Sequence, residues 1–263
     1  LPGVQNDGFF DTLFDSTDRL TPIQTRHEQG AAYMAMGAAL ATGTPQAFCV
    51  VPGPGFLNAT AALSTAYAVN APVLALIGQI PSGAQGKGHG LLHEIPDQFA
   101  ILRQLTKISH RVSGSDDATD EIRAAFTALK SGRPRPVGLE IAVNMWTQSC
   151  SDAPADLAVG SVPMPQPDSD AIASAARLIA GARAPMIVVG GGAQDDAEAV
   201  RHLASRIGAP TVAFRTGHGV VPSDDPLSIS MPVAHDLWSN VDLVIGLGTV
   251  SYTHLTLPTN DQV

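Results

Sequence analysis

Short apolar runs alternate along the chain with segments whose apolar residues recur every three or four positions. Three continuous runs in the first half end near Gly or Pro and predict buried strands: QAFCVVPGPG (46–55), PVLALIGQIP (72–81) and RPVGLEIAV (135–143). The periodic segments predict helices at about 7–16, 28–42, 57–69 and 118–131. Continuous apolar strands that alternate with helices indicate a parallel sheet covered on both faces.

The same alternation restarts after a segment rich in Pro, Asp and Ser, 150–167, which we interpret as an extended linker. Beyond it, helices are predicted at 169–182 and 195–207, and strands in APMIVVGGG (184–192), APTVAFR (209–215) and VDLVIGLG (241–248). We therefore predict an α/β fold with two doubly wound parallel-sheet domains, at 1–149 and 168–249, the second of them Rossmann-like.

Both ends of the chain depart from this pattern. Leu1 leads directly into a Pro-Gly turn, so we expect the first domain to be truncated at its start. One reading frame of a sequencing adapter translates to Val-Ser-Tyr-Thr-His-Leu-Thr-Leu-Pro-Thr, which is residues 250–259. We therefore expect 250–263 to be a library artefact and the second domain to be truncated before it. The alternative is a genuine Thr-rich strand.

Composition narrows the class of protein. Apolar residues make up 44% and charged residues 15% of the 263 residues, as in a compact globular protein. The formal net charge of −9 disfavours binding to nucleic acid or to an anionic membrane, and no apolar run has the length of a membrane span. Cys49 and Cys150 have no metal-type spacing, and Cys49 is expected to be a buried free thiol. We expect a reducing, cytoplasmic compartment.

A carboxylate stands at the start of a helix that has little side-chain bulk. Glu28 follows Arg26 and His27, and small residues dominate the helix after it: Gly30, Ala31, Ala32, Ala35, Gly37, Ala38 and Ala39. One interpretation is a solvated acid that complements the helix dipole. The other is that a backbone, a subunit or a planar ligand approaches the helix closely, with a partly desolvated Glu28 at that contact.

A Gly-rich turn carries a second set of candidates. A strand leads through Gly53 and Gly55 into a helix with Asn58 in its first turn. Glycines let a backbone approach a ligand, and the helix N-terminus offers free N–H groups. An ordinary strand-to-helix turn explains the same pattern equally well.

Polar residues follow the next strand. Gln79 ends that strand, and His89, His93 and Glu94 lie in the Gly-rich stretch after it. Their spacing does not match the two-His helix of a zinc protease, so no metal site is predicted. We interpret them as loop residues near a substrate.

Together these segments resemble the thiamine-diphosphate-dependent enzymes of the acetolactate synthase and 2-oxo-acid decarboxylase type, over residues 1–248. The motifs occur in the family's order: PGV (2–4), RHEQGAA (26–32), PGPGFLNA (52–59), IGQIP (77–81), LTKISHRV (105–112) and SGRPRPVGLEI (131–141). Each motif alone is weak, but the ordered set is specific. Pro52 replaces the family's usual Ser, and Arg135 replaces a Gly.

The resemblance implies roles for individual residues. It identifies Glu28 as the catalytic glutamate that contacts N1′ of the cofactor's aminopyrimidine and favours its imino tautomer. The implied cofactor-binding residues are Gly3, Glu28, Pro52, Gly53, Gly55 and Asn58. The implied substrate-pocket residues are Gln79, Leu92, His93 and Lys107. No metal ligand is expected within the chain.

The resemblance also implies an acetolactate-synthase-like reaction, in which a 2-oxo acid is decarboxylated and then ligated to an acceptor. In the family, Mg²⁺ and the diphosphate are bound by a Gly-Asp-Gly…Asn motif in a third domain. The sequence contains no Gly-Asp-Gly, so we expect that domain to be missing and the chain as given to be inactive. The central domain allows for FAD. Because the family's site is shared between subunits, a homodimer or homotetramer is expected.

Three alternatives stay open. The whole protein is a benzoylformate-type decarboxylase, or it is a non-catalytic assembly or regulatory relative, which would have no need of Glu28. A nicotinamide-binding oxidoreductase rests on the glycines at 190–192 alone. The G-x-G-x-x-G pattern fails there, because Asp195 occupies the third glycine position.

Overall fold

A computed structural model describes residues 1–149 and 165–249 of the chain. They belong to two compact units, the first within 1–164 and the second within 165–263. Most of the predicted linker and all of the predicted artefact at 250–263 lie outside the described residues, and 165–167 carry no helix or strand. Each unit is an α/β structure with its own parallel sheet, which confirms the predicted fold class.

The first unit is built on a four-stranded parallel sheet. Its strands are β1 (Gln46–Val50), β2 (Val73–Gln79), β3 (Ile108–Val112) and β4 (Val137–Ala142), in the order β1-β2-β4-β3. All residues of the two central strands are buried, as a sheet covered on both faces requires. Since all four strands are parallel, their carboxyl ends meet at one edge.

Five helices cover this sheet: α1 (Asp7–Phe14), α2 (Glu28–Thr42), α3 (Pro54–Ala68), α4 (Gln98–Leu105) and α5 (Ser115–Lys130). Alternate residues of β2 enter two separate cores. Ile77 packs with Phe56 and Leu63 of α3, while Leu76 on the opposite face packs with Leu129 of α5. The two-residue period of a strand therefore places one helical layer on each face.

Local signals set the start and end of α2. The Nδ1 atom of His27 accepts a hydrogen bond from the backbone N–H of Gln29 at 3.2 Å, and so caps one of the free donors at the helix N-terminus. Gly43 ends the helix in the left-handed region, with φ 65°. Glu28 is thereby fixed as the first helical residue.

The second unit repeats the architecture on a smaller scale. Strands β5 (Pro185–Val189), β6 (Thr211–Ala213), β7 (Ser228–Ile229) and β8 (Leu243–Leu247) form a parallel sheet in the order β7-β6-β5-β8. Its helices are α6 (Ser169–Gly181), α7 (Ala197–Ile207) and α8 (Met231–Leu237). The carboxylate of Asp242 accepts from the backbone N–H groups of Arg183 and Ala184, both at 2.9 Å. These hydrogen bonds lower the pKa of Asp242.

The predicted helices and strands are present, with shifted ends. The helix predicted at 57–69 begins at Pro54 instead, because proline is favourable in the first turn of a helix. Four short elements were not predicted: α4, β3, β7 and α8. Among the helices in the described part of the chain, none is long and apolar enough to cross a membrane.

Candidate functional site

Glu28 lies against the first turn of the neighbouring helix α3. Its Oε2 atom accepts a hydrogen bond from Nδ2 of Asn58 at 3.0 Å. A Cβ atom at Gly55 would lie 3.6 Å from the other oxygen, Oε1. Among the described residues, no hydrogen-bond donor reaches Oε1. The carboxylate is therefore oriented through one oxygen and keeps the second available.

Two glycines lie where the chain passes from β1 into α3, one in the turn and one in the first turn of the helix. Gly53 has φ 58°, and a Cβ atom there would collide with the carbonyl oxygen of His93. A Cβ atom at Gly55 would lie 2.6 Å from Cγ2 of Val51, which is too close. Pro52, also predicted to bind the cofactor, is buried in this turn. The turn is thus held in one shape beside Glu28.

The same edge of the sheet gathers the N-terminal segment and the loop after β2. A Cβ atom at Gly3 would lie 2.6 Å from Cγ1 of Val51, directly before the Gly-rich turn. His93 has a left-handed backbone, with φ 69°, which is uncommon for a residue other than glycine. Its Nδ1 atom lies 3.0 Å from Oε1 of Gln5, whose Nε2 donates to the carbonyl of Leu92 at 3.0 Å. Gly3, Leu92 and His93 therefore lie close to the Gly53 turn.

A buried carboxylate supports the turn from below. Glu140 of β4 has 0% of its surface exposed. Its Oε2 accepts from Gln98 at 2.9 Å and from Gln79 at 3.1 Å, and its Oε1 accepts from Nε of Arg111 at 2.7 Å. Gln98 in turn accepts the backbone N–H of Gly53 at 2.8 Å. A chain of hydrogen bonds therefore runs from β4 to the turn, and the sequence analysis did not identify it.

Gln79 belongs to this support. Its Nε2 donates to Glu140, and its Oε1 accepts from the backbone N–H of Ile80 at 2.7 Å. Its side chain is 7% exposed. The structure therefore places Gln79 beneath the turn with both ends of its amide engaged.

Lys107 lies elsewhere in the unit. It precedes β3 and is thus at the amino edge of the parallel sheet, opposite the edge that carries Gly53. Its Nζ atom donates to the carbonyls of Ala128 and Ser131 at the end of α5. Partial burial, and secondly the nearby charge of Arg135, lower the pKa of Lys107. The structure does not bring Lys107 to the other candidates.

The polar residues after β2 do not assemble a metal centre. Glu94 turns back on its own loop, and Oε2 accepts from the backbone N–H of Leu91 at 2.8 Å. This hydrogen bond lowers the pKa of the Glu94 carboxyl. Within 1–149 and 165–249, no group of three or more His, Cys, Asp or Glu side chains is placed to hold a metal ion.

The amides of the glycine loop in the second unit are hydrogen-bonded to two neighbouring segments of the same unit. Gly190 and Gly192 donate their N–H groups to the carbonyls of Leu247 and Gly248, and Gly191 donates to Oγ1 of Thr216. A dinucleotide loop needs such amides free to bind pyrophosphate. This arrangement argues against a nicotinamide-binding oxidoreductase.

The outward face of α2 is apolar and carries Gly37. A Cβ atom at Gly37 would meet no other atom within 4 Å. Around it Tyr33, Met34 and Leu40 are exposed, as is Leu57 of α3. The inward residues Ala32, Ala35 and Ala39 are buried in the core. Close packing within this chain explains the alanines but not Gly37.

Two parallel sheets, a glycine turn at the carboxyl edge of the first, and a glutamate beside that turn are features of α/β proteins that bind a cofactor at a sheet edge. Comparison with known proteins identifies the family. Residues 1–101 match the model of the thiamine pyrophosphate enzyme, N-terminal TPP binding domain, and residues 172–262 match the thiamine pyrophosphate enzyme, central domain. The chain belongs to the thiamine-pyrophosphate-dependent enzyme family. The second match runs through 250–262, so the artefact interpretation of that segment stays a prediction.

Relatives with assigned activities are similar over nearly the whole chain. A protein of Pseudomonas aeruginosa assigned as 2-ketoarginine decarboxylase, AruI, is 34% identical over 95% of this chain and 45% of its own length. An acetolactate synthase of Mycobacterium bovis is 32% identical over 95% of this chain and 41% of its own. The chain thus spans less than half the length of these relatives.

A solved structure from Mycobacterium smegmatis, assigned to a thiamin diphosphate-dependent enzyme, superposes with a TM-score of 0.83 at 26% identity. The match covers 94% of this chain and 48% of that one. The predicted family is therefore confirmed by domain models, sequence relatives and a solved structure.

Replacing Glu140 by Leu should destabilise the first unit by on the order of 3 kcal/mol, because the donors of Gln79 and Gln98 lose their buried acceptor. The rate of hydrogen–deuterium exchange in the segment 51–57 should rise, and the free energy of unfolding measured in guanidinium should fall. Asp120→Ala, which removes an exposed ion pair with Arg123, is the control and should change stability by less than about 1 kcal/mol. Unchanged exchange at 51–57 in Glu140→Leu would contradict the supporting role.

Proposed function

We propose that the whole protein is a thiamine-diphosphate-dependent enzyme that decarboxylates a 2-oxo acid and ligates the product to an acceptor, as an acetolactate synthase does. The observation that carries this proposal is the free Oε1 of Glu28, held beside Gly55 by the hydrogen bond from Asn58. A non-catalytic relative has no need of a carboxylate oriented in this way. Both kinds of relative, acetolactate synthase and 2-ketoarginine decarboxylase, support a 2-oxo acid as substrate.

The described residues fit the pyrimidine end of the cofactor. A planar ring can approach Glu28 because Gly55 has no side chain there, and Oε1 has room for a hydrogen bond to a ring nitrogen. When bound, thiamine diphosphate supplies a nucleophilic carbon and an electron sink for loss of CO₂. Glu28 would hold a proton between Oε1 and N1′ of the ring, and Asn58 would keep Oε2 from rotating into that position.

Decarboxylation followed by protonation, as in a benzoylformate-type decarboxylase, is the second candidate. The relative assigned as 2-ketoarginine decarboxylase favours it, at 34% identity. The two outcomes, transferase and lyase, share every step up to loss of CO₂ and differ in whether a second carbonyl compound or a proton is accepted. Product analysis after turnover of a 2-oxo acid separates them.

Further features of the proposal rest on the family. Mg²⁺ would be bound with the diphosphate by residues other than those described in this chain. FAD would have to bind away from the loop at 190–192, since its amides are engaged within the protein. A cytoplasmic location is part of the same proposal.

We also propose that the protein is a homodimer or homotetramer and that a second copy covers the outward face of α2. Gly37 lies on the same apolar surface as the exposed Tyr33, Met34 and Leu40. Glycine in a helix costs about 1 kcal/mol relative to alanine, and no contact within the described chain offsets that cost. A helix from a second copy could approach closely there, on the helix that Glu28 begins.

Glu28→Gln in the whole protein should keep the fold and abolish turnover of a 2-oxo acid, because an amide cannot exchange a proton with the pyrimidine nitrogen. Removing such a proton-transfer group typically costs 10²–10⁴-fold in rate. Glu198→Gln is the matched control, since Glu198 is an exposed acid in the first turn of α7. CO₂ release and circular dichroism are the measurements. Near-wild-type rates for Glu28→Gln would remove Glu28 from the mechanism.

The 263-residue chain alone, supplied with Mg²⁺ and thiamine diphosphate, should show no turnover above a Glu28→Ala control. The physical reason is that its sequence holds no Gly-Asp-Gly motif for the diphosphate, and no metal-binding cluster lies in the described residues. Release of ¹³CO₂ from labelled 2-oxo acids checks this. Turnover that depends on Glu28 would show that the chain is sufficient.

Gly37→Glu should leave a stable chain that no longer self-associates. A Cβ atom at this position has open space around it, and glutamate has a better helix propensity than glycine. The substitution places a charged side chain in the proposed interface. Gly181→Glu is the matched control, because Gly181 is also helical and also has open space around it. Sedimentation velocity should show dimers or tetramers for the unaltered chain and for the control. Equal association of Gly37→Glu would place the interface elsewhere.

A further inference from the structure

Gln5 links the N-terminal segment to the loop that carries His93. Its side chain is buried, 5% exposed, although the residue lies only five positions into the chain. Its Nε2 donates to the carbonyl of Leu92 at 3.0 Å, and its Oε1 lies 3.0 Å from Nδ1 of His93. Its own carbonyl accepts from Nε1 of Trp146 at 2.9 Å. The Gln5 amide is therefore held in one position.

These partners decide which way the amide points. The carbonyl oxygen of Leu92 only accepts hydrogen bonds, so it must face the amide nitrogen of Gln5. The amide oxygen consequently faces Nδ1 of His93. Because that oxygen is also only an acceptor, Nδ1 must carry the proton. In the neutral imidazole, Nε2 is then left with a lone pair.

The backbone around His93 is fixed as firmly as the ring. His93 lies in the left-handed region with φ 69°, a conformation that persists only where surrounding contacts impose it. Its carbonyl oxygen packs on Gly53, where even a methyl group would collide. The backbone of His93 is therefore held against the glycine turn near Glu28, and its ring is held by the hydrogen bond to Gln5.

We propose that Gln5 is a positioning residue that holds the ring of His93 with its proton on Nδ1, the Nδ1–H tautomer. Nε2 of His93 is thereby left as a hydrogen-bond acceptor, available to an O–H or N–H group of a ligand that reaches the ring. The identity of that ligand as substrate or cofactor rests on the proposed function, whereas the tautomer does not depend on it. The two ring nitrogens of histidine are distinct, and the hydrogen bond that one of them makes sets which carries the proton, so Gln5 imposes the choice here.

The test is ¹⁵N-edited NMR of the labelled 263-residue chain, without ligand, at a pH at which its imidazoles are neutral. His93→Gln assigns the ring signals by their loss. In the unaltered chain we expect a protonated Nδ1 and a lone-pair Nε2 for His93. In Gln5→Leu the two signals should exchange character, because the acceptor is gone, while those of His218 in the second unit stay unchanged.

Gln5→Glu gives up the donor to Leu92 but keeps an oxygen that accepts from Nδ1, so Nδ1 should stay protonated. A role confined to packing would not distinguish Leu from Glu in this way. A protonated Nε2 in the unaltered chain, or an unchanged tautomer in folded Gln5→Leu, would overturn the proposal. The unaltered chain decides the question even where a variant fails to fold. Inactivity of the whole enzyme would leave this result unaffected, so the two proposals fail separately.

Discussion

The arrangement of the first unit depends on one carboxylate that never reaches solvent. Glu140 accepts hydrogen bonds from Gln79, Gln98 and Arg111, and those bonds offset the cost of burying its charge. Gln98 links Glu140 to the glycine turn, because its amide oxygen accepts a hydrogen bond from the backbone N–H of Gly53. The position of the turn is thus set from inside the sheet. Glu28 and Asn58 sit above a support that their own helices do not supply.

A turn fixed from below also orders what packs on it from above. Gly53 has room for the His93 carbonyl only because it lacks a side chain, and His93 in turn contacts Gln5. Residues distant in sequence are therefore joined by contacts that each tolerate little change. These contacts explain why two glycines and a histidine with a left-handed backbone lie close together, although each is unfavourable for the stability of the chain by itself. Strain of this kind persists where surrounding structure imposes it, and it concentrates at functional sites.

The sequence predicted the parts of the fold that follow from local periodicity. β2 is apolar at most positions and buried throughout, so its pattern was unambiguous. β3 was missed because it is an edge strand, and of its residues only Val112 is buried. The helix α4 has eight residues and buries Gln98, so its apolar period is short and interrupted. A lone charge in the apolar run around Glu140 was the available signal for the buried network, but its partners are 29 to 61 residues away.

The candidate site shows the same division between local and long-range information. Motif resemblance identified Glu28, Gly53, Gly55 and Asn58, and the structure brings them together because α2 and α3 pack side by side. The motifs gave no indication that the Gln79 amide is hydrogen-bonded to Glu140 and Ile80 beneath the turn. Nor did it indicate that Lys107 lies at the opposite edge of the sheet, since a motif records which residues recur and not which end of a strand they occupy.

Contacts within the described chain do not explain the glycine on the outward face of α2, Gly37. Ala32, Ala35 and Ala39 are small because the core behind them is tight, and their burial offsets any loss of side-chain contact. Gly37 faces open space and weakens its helix without gaining a contact in the described chain. A residue that costs stability in one chain is explained most simply by a surface that must be approached closely. Since Glu28 begins the same helix, an approach of that kind would also remove water from its neighbourhood and strengthen the hydrogen bond that its free oxygen can make.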